Sequence, residues 1–117
     1  MALVKETELG KITIQNELFK DMIESACIIP ECLGRIWLAQ KHGIEADYNE
    51  NGDIVLKFSV VVRFGEPINR ICIAAADDVA RRIKLRSGQL PASIRVNVTG
   101  VKSKNIVRRS MEVIREY

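Results

Sequence analysis

A change of hydrophobic period at residues 54–83 constrains this chain more than any other feature. From Ile54 to Phe64 apolar side chains fall at every second place, Ile54, Leu56, Phe58, Val60, Val62 and Phe64, with Val55, Lys57, Ser59, Val61 and Arg63 between them. A period of two is that of a strand with one face in a core. From Ile68 the period becomes 3.6: Ile68, Ile71, Cys72, Ala75, Ala76, Val79, Ala80 and Ile83 share one side of a helix, with Pro67 near its first turn and Gly88 past its end. A strand and a helix of this length, each with one apolar side, hide those sides by packing together.

Shorter signals complete the order of elements. "KITI" reads as a strand, and "NELFKDMIESACII" as a helix with Asn16 as N-cap and an apolar stripe of Leu18, Phe19, Met22, Ile23, Ala26 and Cys27, stopped by Pro30. "GRIWLA" is extended, "GIEADY" alternates, and "ASIRVNVTGV" is a late strand with Ile94, Val96 and Val98 inward. The last segment, "SKNIVRRSMEVIREY", has the spacing of a short, weakly amphipathic helix. The expected fold class is α+β, a two-layer sandwich of a mainly antiparallel sheet with two main helices on one face. The expected division is a domain over 1–102 and a basic tail over 103–117.

The stretch "DYNENGDI" between the alternating runs matches the first half of an EF-hand calcium loop at Asp47, Asn49, Asn51, Gly52 and Ile54. The twelfth loop position, where a bidentate glutamate closes the cage, is Phe58, and strand patterns flank the loop instead of helices. "NENG" therefore reads as a hairpin turn, since Asn and Gly accept the positive φ of tight turns. No metal and no cofactor is expected.

At 117 residues, 47% apolar and 28% charged, the chain has the composition of one globular domain. No apolar run reaches the ~20 residues of a membrane span, and the start lacks a secretory pattern, so a cytosolic protein with Cys27, Cys32 and Cys72 reduced is expected. Charge is unevenly spread. Residues 1–80 carry eight basic and thirteen acidic side chains, residues 81–117 ten and two. Arg81, Arg82, Lys102, Lys104, Arg108 and Arg109 form a candidate basic region for a partner: an acidic protein, anionic headgroups or nucleic acid.

Catalytic chemistry is hard to find. The single histidine, His42, stands beside a glycine in "QKHGI", no serine or cysteine has a recognisable elbow, and Asp77 and Asp78 diverge on a helix. Trp37 reads as a packing residue. No phosphate loop, dinucleotide loop or zinc spacing occurs. Elimination leaves a binding or assembly protein.

Three stretches, "GKITIQNELFKDMIESA", "VVVRFGEPINRICIAAADDVARRI" and "IRVNVTGVK", resemble the alkaline shock protein family, the envelope stress response family of Gram-positive bacteria, over about residues 9–102. The most specific part is the junction Phe64, Gly65, Pro67, Ile68, with Asn97–Val101 and Gly10–Ile12 beside it. The resemblance implies a non-enzymatic, cytoplasmic, self-assembling protein held near the cytoplasmic membrane by a membrane-anchored partner, serving cell-envelope homeostasis. It carries over no catalytic residue.

Self-association is expected on the outward face of the long strand, at Val55, Lys57, Val61 and Arg63. Its valines make a partly apolar strip beside two cations. The alternative is a small RNA- or DNA-binding module using the basic C-terminal region. Against it, no GxxG clamp is present and the long strand offers no outward aromatic for base stacking.

Overall fold

The computed structural model describes residues 2–7, 10–39 and 44–117. The chain runs β1 (Ala2–Thr7), β2 (Gly10–Gln15), α1 (Asn16–Ala26), β3 (Ile36–Leu38), β4 (Ile44–Tyr48), β5 (Ile54–Arg63), α2 (Ile68–Ser87), β6 (Ser93–Lys102) and β7 (Ile106–Glu116). β1 and β2 pair antiparallel as a separate two-stranded sheet. The other five strands form one sheet. Its centre is β5, whose first edge carries β4 along Ile54–Phe58 and β3 along Val60–Val62, both antiparallel. Its second edge carries β6 in parallel, and β6 is followed outward by antiparallel β7. The fold is thus α+β with a mostly antiparallel five-stranded sheet and two helices. A parallel neighbour demands a crossover connection, and α2 is that connection between β5 and β6.

Alternation along β5 sorts the molecule into layers. Ile54, Leu56, Phe58, Val60 and Val62 are buried, whereas Val55, Lys57, Ser59 and Val61 are half-buried and Arg63 is exposed. Ile94, Val96 and Val98 of β6 extend the buried row. Phe19, Met22, Ile23 and Ala26 of α1 and Ile71, Cys72, Ala75, Ala76, Val79, Ala80 and Ile83 of α2 close over it in a single core. Each large apolar side chain so removed from water contributes roughly 1.5–3 kcal/mol. Small residues, Ala75, Ala76 and Ala80, on the inner stripe of α2 let a helix backbone lie close to its neighbours. α2 ends where Gly88 takes φ 82° and gives its N–H to the Lys84 carbonyl at 2.8 Å, a left-handed cap. α1 stops at Ala26, earlier than its apolar stripe, and the chain tightens through Ile28 and Ile29 before Pro30.

Two expectations are corrected. The segment 103–117 is neither a helix nor a tail: after a turn at Ser103–Asn105 it returns as β7, which pairs with β6 from Lys102↔Ile106 to Ser93↔Glu116. Val113 is buried and Met111 packs on the core, so the domain extends to the last strand. Apolar residues at Val107, Met111 and Ile114 show a helical spacing, but the open edge of β6 supplies a ladder that a weakly amphipathic helix does not offer. The second correction is Phe64, which leaves the inner row. It is 72% exposed because Gly65, at φ 86°, turns the chain into α2 there.

Candidate interaction face of the sheet

With both helices on one side, the opposite face of the five-stranded sheet has no covering layer among the described residues. Val55, Lys57, Val61 and Arg63 stand in one row along its central strand, so the four predicted positions are brought together. Register adds neighbours. Lys57 lies between Glu45 of β4 and Arg95 of β6, and Arg63 lies beside Lys102. The Arg63 Nε donates to Glu66 Oε1 at 3.0 Å, and Arg35 approaches the same carboxylate at 3.6 Å, so this end of the row is partly neutralised.

Trp37 pairs with Val61 and lies on this outer face, 36% exposed, with the Lys102 ammonium 4.8 Å from the ring centre. A cation over an indole face is held by the ring quadrupole. The packing role read from sequence therefore covers only part of Trp37. Its position depends on the three-residue β3 register against β5, which no local pattern specifies. Ile106 and Ile114, both exposed, complete the apolar content of the face from β7. Their spacing is that of a strand, and reading the segment as a helix hid it.

The basic region is divided. Lys102 and Arg108 lie on the outer face, Lys104 in the turn before β7, and Arg109 one place along β7 from Arg108. Arg81 and Arg82 belong to α2, on the other layer and roughly 20 Å along the helix from its start. They serve Asp78, which accepts from Arg81 at 2.7 Å and from Arg82 at 2.7 Å. Burial works to raise the Asp78 carboxyl, but the two guanidinium hydrogen bonds outweigh it and hold the group below the usual range.

The EF-hand-like stretch is a hairpin turn. Asn49 Oδ1 accepts the N–H groups of Asn51 and Asp53, each at 3.0 Å, and Gly52 at φ 79° gives its N–H to the Asn49 carbonyl at 2.9 Å. The oxygen that a cation would need holds the turn instead. Phe58, in the place of the closing glutamate, is fully buried in the core. His42 lies outside the described residues, as does the Asn16 side chain.

Cys27, Cys32 and Cys72 are buried free thiols. Burial pushes Cys27 and Cys72 up to about 12 and Cys32 up to about 11, which removes the thiolate needed for nucleophilic work near neutral pH. Among the described residues no helix is long and apolar enough to cross a membrane. Compared with known protein families, curated proteins and solved structures, the chain finds no match.

Proposed function

We propose that this protein is a non-enzymatic, self-assembling component of an envelope stress response, working at the cytoplasmic membrane through contacts with its own copies and with a membrane-anchored partner. The observation that carries the reading is the sheet face without a covering layer among the described residues, where Val61 stands half-buried beside Trp37 and Arg63, with Lys57 and Val55 further along the same row. The motif resemblance around Phe64–Ile68 and Asn97–Val101 supplies the cellular setting. An apolar strip rimmed by charge is the composition of a contact surface. Light scattering of the wild type should give a mass above the monomer, and Val61→Glu should lower it. A wild type that is monomeric at high micromolar concentration, or a variant that assembles unchanged, would overturn this function.

A second reading, binding of single-stranded nucleic acid, draws on one observation: Trp37 shares the face with Lys102, Arg95 and Arg108. Aromatic stacking within a cationic groove is how such strands are held. Neutralising Lys102, Lys104, Arg108 and Arg109 together should abolish micromolar, salt-sensitive RNA binding if this reading holds. Absence of RNA binding by the wild type at physiological salt leaves the first.

A further inference from the structure

β7 is the terminal strand of the sheet, and among the described residues no strand pairs with its outer edge. The residues of β7 whose backbone donors and acceptors face away from β6 form a template for another strand at such an edge, with an irregularity of the β6–β7 ladder at Arg109 and Ser110. Charged side chains on an edge ordinarily discourage that pairing, and β7 carries Arg108, Arg109, Glu112, Arg115 and Glu116. Their order decides otherwise. Around Ser110 the sequence Ile106-Val-Arg-Arg-Ser-Met-Glu-Val-Ile114 is complementary to its own reverse.

We infer that two copies of this chain join edge to edge through antiparallel β7–β7 pairing centred on Ser110, extending the sheet across a twofold axis. In this register Ile106 meets the partner's Ile114, Val107 the partner's Val113, and Arg108 the partner's Glu112, each twice by symmetry. Cross-strand partners must lie on the same face of a sheet. They do: Ile106, Arg108, Glu112 and Ile114 pair with Lys102, Gly100, Asn97 and Arg95 on the outer face, while Val107 and Val113 pair with Val101 and Val96 on the helix side. Val107 is 64% exposed in one copy, and pairing gives it an apolar neighbour.

The register is specified. Moving the axis to Arg109 sets that arginine against itself, and moving it to Met111 sets Ile106 against Glu116 and Val107 against Arg115. Glu112 already lies 3.6 Å from Arg95 of its own chain, so the new ion pair adds a second cation to a carboxylate that is oriented in advance. This edge is distinct from the sheet face at Val61 and does not depend on the function proposed above.

The test uses sedimentation equilibrium on the full chain with Glu112→Arg, Arg108→Glu, the double variant and an equimolar mixture of the two singles. Each single variant places like charges together twice and should weaken dimerisation roughly 10- to 100-fold. The mixture should form heterodimers, because the Arg108→Glu chain offers two acids to the two arginines of the Glu112→Arg chain. The double variant, with unchanged composition, should regain wild-type affinity. Single variants that keep the wild-type mass, or a mixture that stays as small as its components, overturn the edge contact. If Val61→Glu lowers the mass while Glu112→Arg does not, the face contact stands and the edge contact falls. If only the edge variants act, the reverse holds.

Discussion

At the scale of single residues, Gly100 has little freedom. It sits where the pairing register shifts against both β5 and β7, and a Cβ there would lie 2.8 Å from Ile106 Cγ2 and 3.3 Å from the Val107 carbonyl oxygen. The first atom belongs to a stiff β-branched side chain and the second to backbone, so neither gives way without moving β7. Gly100→Ala should cost about 1–3 kcal/mol, measured by urea unfolding, and Ile106→Ala in the same chain should recover part of it. The bulge that makes Gly100 necessary was not legible in "NVTGV", because a bulge is a property of two paired strands and only one is written there. The turn at Asn49–Asp53 was legible for the opposite reason. Its donors and acceptor lie within five consecutive residues, so the local chemistry of Asn and Gly decides it alone.

Among the elements, α2 and β5 could be read directly from sequence because each buries one face with an unbroken period; the seven buried positions of α2 all lie on the stripe seen in the sequence. β7 could not. Its only buried residue is Val113, and its exposed positions obey no solvent pattern, so what makes it a strand is the waiting edge of β6. Deleting residues 103–117 therefore does more than trim a tail. It uncovers one side of Ile94, Val96 and Val98 and removes the tie in which Arg115 Nε and the Tyr117 hydroxyl both donate to Asp77 of α2, at 3.0 and 2.8 Å. The truncated chain should melt at least ~10 °C lower or fail to fold, as followed by circular dichroism. Unchanged melting would mean that β7 lends little to the sheet. Of the basic residues of this segment, Arg108, Arg109 and Arg115 are carried with exposed side chains on a strand, and Lys104 stands in the turn before it.

For the whole molecule, the three buried thiols link stability to pH. Their folded values, about 11 to 12, lie above that of an unfolded thiol near 9, so the neutral form is favoured in the fold. That contribution is fully present below the unfolded value and is lost as pH rises through the folded values. Melting temperature should be flat from pH 7 to 8 and fall steeply above 9, and Cys72→Ala should make the fall shallower. An equally steep fall in a variant with all three cysteines replaced by alanine would assign the effect to other groups. The α+β sandwich itself was legible from the two long periods, whereas the parallel pairing of β5 with β6 was not, since period two is the same in either direction. That pairing bears on how the chain is made. As synthesis proceeds from the N-terminus, β4 and β5 can close as a hairpin as soon as Arg63 has emerged, but the second edge of β5 must wait for Ser93–Lys102. During that interval the apolar row from Ile54 to Val62 lacks the cover of α2 and the flanking row of β6, with only the earlier elements α1, β3 and β4 available to it. The speed at which residues 64–92 are translated thus bears on whether the protein folds or aggregates.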